Sequence, residues 1–210
     1  MNKTPVIPAF NLTLYDVETR FNLEFLQEDR FFLTWLDEIP ELTPEEKRRL
    51  DRVKQQYLYL AKREMLEEVV KIVVVSPLLD LAGFFNSPFS IAAEREVQID
   101  DEVNGDSIRG KIDFLVFQGE FWIAVIETKR TKADVMVALP QTLVYMVASP
   151  NLEKPVFGLM INGREAVFIK LSRENQAEYS LSKSFSISNP GNEFYDVLRG
   201  LKKIGQILIL

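Results

Sequence analysis

The feature that most constrains this chain is residues 110–130, GKIDFLVFQGEFWIAVIETKR. It reads as two strands joined by a short turn, and both of its alternating faces are apolar. Leu115, Phe117, Ile123 and Val125 fall on one face; Ile112, Phe114, Val116, Trp122, Ala124 and Ile126 fall on the other. A sheet that is apolar on both sides has to be covered on both sides. The stretch therefore predicts an α/β fold, a mixed β-sheet flanked by helices on both faces. The same stretch nevertheless carries Asp113 near its start and Glu127, Thr128 and Lys129 at its end. Each buried charge costs several kcal/mol unless it is paired or held by a metal.

The flanking sequence supplies the covering helices. Thr43, Pro44 and Glu46 form a capping-box start, and no Gly or Pro follows until Pro77. One unusually long helix, or two with a bend, is expected from there to Val75, with Pro77 and Gly83 marking its end region. Residues 133–149 have helical spacing interrupted by Pro140, which either starts a helix or kinks one. FSIAAEREVQI reads as a strand, DDEVNGD as a solvated turn, and the tail from Asn189 as an amphipathic helix. Asn162-Gly163, between PVFGLMI and EAVFIKL, is a two-residue hairpin signal. Before Pro40, LTLYDVETRFNLEF suggests a strand or hairpin. The expected organisation is an N-terminal extension over 1–60, ending in the long helix, and a main domain over 61–210. No apolar run approaches the roughly 20 residues that span a bilayer, and a soluble cytoplasmic protein is expected.

Composition narrows the chemistry. The 210 residues contain no cysteine and no histidine. That excludes thiolate nucleophiles, histidine bases and Cys or His metal ligands, and leaves carboxylates, lysine, hydroxyls and hard cations with oxygen ligands. A formal charge of −6 disfavours a broad nucleic-acid footprint unless basic residues cluster locally.

Glu127 and Lys129 lie two apart on a strand and so share a face. Asp113 joins that face if the hairpin loop has an odd length, and a three-residue loop over 118–120 is expected, pairing Phe117 with Phe121 and Asp113 with Val125. Such a cluster is stable either as an ion pair of Lys129 with Asp113 or Glu127, or as a hard-cation site made by Asp113, Glu127 and the carbonyl of Thr128, with Lys129 beside it. Glu-x-Lys alone means little; Glu45-Glu46-Lys47 is a second copy in a helix cap. The order is more specific. The next helix carries Gln141 and Tyr145 at i, i+4, on one helix face.

This order resembles the PD-(D/E)xK nuclease superfamily, in its Q-x-x-x-Y branch, and looks most like the N-terminal nuclease domain of type I restriction enzyme motor subunits. The resemblance runs over roughly residues 64–170, including EEVVKIVVVSPLLDLAGF as the helix before the core strands. It implies a restriction-endonuclease-like fold and a Mg2+- or Mn2+-dependent DNA endonuclease. Asp113 and Glu127 would be metal ligands, and Lys129 would orient or activate the attacking water and stabilise developing phosphorane charge. The resemblance also implies a glutamate from the preceding helix, and Glu67 and Glu68 are both candidates. Gln141 and Tyr145 would support the site and touch DNA, and Arg109, Lys111, Arg130 and Lys132 would form a basic rim. The chain departs from the pattern at Ile112, where the motif has proline, and it contains no G-x-x-x-x-G-K-[ST] loop. A homodimer, or a separate DNA-binding or motor subunit, is the expected partner besides DNA. Two other classes fit the same residues: a nucleic-acid-binding or assembly module without catalysis, and a scaffold that uses the helical segment over 43–75 as a partner surface.

Overall fold

The structure is a computed structural model, and it describes residues 5–35, 41–101, 104–174 and 176–209. Among these, nine strands form one mixed sheet. In chain order the elements are β1 (Val6–Pro8), α1 (Leu14–Phe21), β2 (Glu24–Phe25), α2 (Arg30–Thr34), α3 (Pro44–Leu60), α4 (Glu67–Val70) and α5 (Ser76–Leu81). They continue with β3 (Ser90–Asp101), β4 (Asp106–Gln118), β5 (Phe121–Thr128), α6 (Leu139–Val147), β6 (Val156–Ile161), β7 (Glu165–Ser172), β8 (Glu178–Leu181), β9 (Phe185–Ser186) and α7 (Phe194–Ile209). The strand path is β1-β4-β5-β6-β7-β8-β2, with β3 also paired to β4 and β9 to β7.

Two hydrophobic clusters lie on the two faces. One joins α3, α4, α5 and α7 to Val116, Ala124, Ile126, Leu159 and Phe168. The other joins α1 and α6 to Ile112, Leu115, Val125, Met160 and Ile169. Every residue of β6 is buried, as a strand covered on both faces must be. The expected two-sided α/β arrangement is what forms. No described helix is long and apolar enough to cross a membrane.

The capping box at Thr43 forms as the sequence indicates: Thr43 accepts from the Glu46 N–H, and Glu46 accepts from the Thr43 N–H. Leu50, Val53 and Tyr57 make the buried stripe of α3. The helix stops at Ala61 and resumes at Glu67, so the two-helix reading holds over the single long one. The turn between them tucks Met65 into the core. The second helix contains a π turn over Lys71–Val75, in which the Ser76 N–H donates to the Lys71 carbonyl five residues back. Pro77 follows directly, with no N–H of its own and a ring that would crowd the carbonyl of Val73 in a regular helix. The wider turn accommodates it.

Pro140 starts a helix: a 3-10 turn over Val135–Ala138 leads into α6, with Pro140 in its first turn. The hairpin between β6 and β7 turns one residue later than the dipeptide suggested. Asn162 stays in the ladder, donating to the Glu165 carbonyl, while its side chain accepts from the N–H groups of Arg164 and Glu165. The segment read as an early strand or hairpin is mostly helix. Thr13 and Asp16 form a second capping box that starts α1, and local capping outweighs the apolar alternation. The turn expected at Pro40 lies outside the described residues, as do positions 102 and 103 of the acidic loop. Residues 6–8 pair in parallel with Ser107, Ile108 and Arg109 of β4, so the beginning of the chain contributes to the sheet that carries the acidic residues.

Candidate active site

The geometry begins with the β4–β5 hairpin. Gln118 pairs with Phe121 and Phe117 with Trp122, so the loop has two residues, Gly119 and Glu120. Gly119 has φ of 58°, the left-handed value that the first position of such a turn requires. The expected three-residue loop, with Phe117 opposite Phe121 and Asp113 opposite Val125, is not what forms. An even loop alone would put Asp113 and Glu127 on opposite faces. A β-bulge corrects this: Val116 pairs with Ala124, leaving Ile123 as an extra residue, and Phe114 then pairs with Ile126. Carried one residue further, that register sets Asp113 opposite Glu127. The bulge also moves Ile123 into the cluster with Val116 and Ala124 and leaves Trp122 beside Leu115.

The two edges of β4 are used unequally. β3 pairs along almost its whole length. On the other side β1 takes Ser107–Arg109 and β5 takes Phe114–Gln118, so residues 110–113 lie between two ladders. Side chains satisfy the backbone there. The Lys111 N–H donates to the Tyr145 hydroxyl at 3.0 Å, and the Thr128 N–H donates to Asp113 Oδ2 at 2.6 Å.

Asp113 is 8% exposed and Glu127 2%. Lys129 Nζ donates to Glu127 Oε1 at 2.7 Å and to Gln141 Oε1 at 3.1 Å. Gln141 Nε2 donates in turn to the Tyr145 hydroxyl at 2.8 Å. The i, i+4 pair on α6 is therefore a strut that aims the lysine. Glu127 Oε2 is buried without a hydrogen-bond partner, and so is Thr128 Oγ1. Burial, then the negative charge of Asp113, raise the Glu127 carboxyl to about 8, against the pull of Lys129. Burial also pushes the Tyr145 phenol up to about 12, so it stays a neutral hydroxyl.

Of the two helix glutamates, Glu67 is half-buried and Glu68 exposed. Glu67 is also among the charges that raise Glu127, after burial and Asp113. The basic residues divide. Arg109 and Lys111 line a groove of about 520 Å3 with Val6, Pro8, Glu96 and Gln98. There the Arg109 Nε donates to Gln98. Arg130 and Lys132 turn to Glu64, at 3.6 and 3.4 Å.

Lys71, Glu94 and Gly110 were not singled out from the sequence. Lys71 Nζ lies 2.6 Å from Asp113 Oδ1 and 3.0 Å from Glu94 Oε1. Burial pulls its pKa down, but the two carboxylates outweigh that and hold it above the ordinary lysine value. Its position four residues after Glu67, on the same helix face, was the available signal. Gly110 is required because Tyr145 fills the space of its missing Cβ.

Among the described residues no three Asp, Glu, His or Cys side chains gather as a metal-binding group. The donors on hand are two carboxylates and the Thr128 carbonyl. That all-oxygen set, with Glu127 Oε2 unpartnered, fits a hard cation of the Mg2+ or Mn2+ type.

Residues 9–177 match the family model described as type I restriction enzyme R protein N terminus. A search of curated proteins found no match.

Proposed function

The chain belongs to the family of type I restriction enzyme R protein N termini, and from that premise we propose that it is a divalent-cation-dependent DNA endonuclease that hydrolyses phosphodiester bonds. The observation that carries the proposal is the partnerless Glu127 Oε2, buried next to Asp113 with Lys129 at hydrogen-bond distance from the same carboxylate. A buried, unsatisfied carboxylate oxygen is costly to maintain, and cation binding gives it a use.

Asp113, Glu127 and the Thr128 carbonyl would hold Mg2+ or Mn2+, which would supply Lewis-acid polarisation of the phosphate and acidify the attacking water. The protein's own groups do the rest. Lys129, steered by Gln141, meets the non-bridging phosphate oxygens as negative charge builds on them. Tyr145 fixes Gln141 and, through the Lys111 N–H, the strand that presents Asp113. Glu67 adds a third acidic group on the same side. Arg109 and Lys111, in the groove beside β1 and β3, would take flanking phosphates. DNA is the proposed substrate. A motor or DNA-recognition subunit, or a second copy of this chain, is the proposed partner.

The test is cleavage of supercoiled, linear and single-stranded DNA with Mg2+ or Mn2+. Lys129→Ala should abolish cutting while the circular-dichroism spectrum is retained. No cutting of any form, together with no divalent binding by calorimetry, ends the nuclease reading.

One observation favours a second reading. Both acids have ammonium partners, Lys71 on Asp113 and Lys129 on Glu127, so mutual neutralisation is available without a cation. A DNA-binding or assembly module would then bind DNA in a salt-sensitive manner without divalent ions and would keep that binding in Asp113→Asn.

A further inference from the structure

Two lysines stand against the buried acids, and they are held differently. The second contact of Lys129 is the neutral Gln141, whereas that of Lys71 is the anion Glu94. Two irregularities of the backbone create the second arrangement. Lys71 opens the π turn, the kind of local defect in a helix that is frequent at functional sites. Glu94 lies on β3 between Ala93, paired with Phe114, and Arg95, paired with Ile112, which puts it opposite Asp113. Its φ is 52°, a left-handed conformation that is unfavourable for a residue with a Cβ. An ion pair to a largely solvated carboxylate returns little stability, too little to maintain that strain by itself.

The side chains also form a gradient, from Asp113 at 11% and Lys71 at 17% exposed to Glu94 at 56%. Asp113 Oδ2 is committed to the Thr128 N–H, so Oδ1 is the oxygen left for any cation, and the Lys71 ammonium holds it. An ammonium and a divalent cation on the same oxygen repel each other at close range, so loading favours movement of Lys71 off Asp113, and Glu94 gives it somewhere to go.

We propose that Lys71 and Glu94 are a positioning pair for cation loading: Lys71 neutralises Asp113 Oδ1 while no cation is present and is drawn onto Glu94 when one binds. This rests on the assignment of Asp113 as a cation ligand. The pair sets how much cation the site needs, and the two members act in opposite directions. Removing Lys71 removes a competitor from the free state and a repulsion from the loaded state. Removing Glu94 strips the loaded state of the anion that stabilises the displaced ammonium, while the free state keeps its Lys71–Asp113 contact.

The experiment is isothermal titration of Mn2+ into the full chain without DNA, for the wild type, Lys71→Met and Glu94→Gln. Lys71→Met should bind Mn2+ about tenfold more tightly, on the scale of losing a desolvated competing ion pair. Glu94→Gln, altered at a largely solvated side chain and therefore safe for folding, should bind roughly three- to fivefold more weakly, the scale of one exposed ion pair. Unchanged affinities in both variants, or shifts in the same direction, overturn the pair while leaving the cation site in place. Binding by Lys71→Met where the wild type binds nothing supports it in its extreme form. Absence of binding in all three proteins removes both the pair and the nuclease reading. If Lys71→Met does not fold, the weakening in Glu94→Gln decides alone.

Discussion

Gly110 of β4 lies so close to the ring and hydroxyl of Tyr145 on α6 that no β-carbon fits between them. The contact lets the Tyr145 hydroxyl accept from both the Lys111 N–H and Gln141, and Gln141 is what holds Lys129. Gly110→Ala should therefore act at a distance. Pushing the ring aside costs about 1–3 kcal/mol by overpacking, measurable as a lower urea midpoint. It should also lower cleavage more than Lys111→Ala, because Lys111 contributes to this chain of hydrogen bonds only through its backbone.

The pH dependence of stability in chelator-treated protein reports directly on Glu127. Its carboxyl is raised from 4.5 to about 8 in the folded protein. A group raised by folding binds its proton more tightly in the native state. Its contribution is fully present below the unfolded value near 4.5 and is lost as pH rises through about 8. From pH 6 to 8.5 the cation-free wild type should lose stability on the order of a few kcal/mol. Glu127→Gln should flatten that slope. A slope identical in the two proteins would place the titration elsewhere.

Glu67 and Glu68 can be separated by the same measurement. Glu67 is one of the charges that raise Glu127, so Glu67→Gln should move the loss of stability to lower pH and measurably reduce cleavage. Glu68, exposed on the helix, should be replaceable by Gln without effect on either. Equal effects of the two substitutions would remove Glu67 from the site.

Much of this arrangement was legible because it rests on local rules. Capping at Thr43 gave the start of α3, two-sided apolar strands gave the covered sheet, and the spacing of Gln141 and Tyr145 gave one helix face on which they are indeed hydrogen bonded. What was not legible depends on irregular backbone. The π turn is what delivers Lys71, the left-handed Glu94 breaks the strand pattern, and neither has a periodicity to read. The early helix α1 was hidden because LTLYDVE alternates like a strand while Thr13 and Asp16 cap it. The convergence of Asp113 with Glu127 was expected from an odd loop, and it is reached instead by an even loop plus a bulge.

That bulge makes a last prediction. Ile123 is the extra residue, and the ladder of β5 with β6 begins just after it, at Ala124 paired with Phe157. Deleting Ile123 would make Trp122 and Ala124 neighbours while Phe117 and Val116 keep them as partners, so Phe114 still meets Ile126 and Asp113 still shares a face with Glu127. The deletion should cost about 2–5 kcal/mol, as for other losses of a buried aliphatic side chain, yet keep the pH 6 to 8.5 slope that Glu127 creates. Deleting Val125 instead, downstream of the bulge, shifts every later residue by one and turns Glu127 away from Asp113. Any folded form of that variant should show no slope. If the protein lacking Ile123 folds but shows no slope, the bulge shapes the site by its bend rather than by its count of residues.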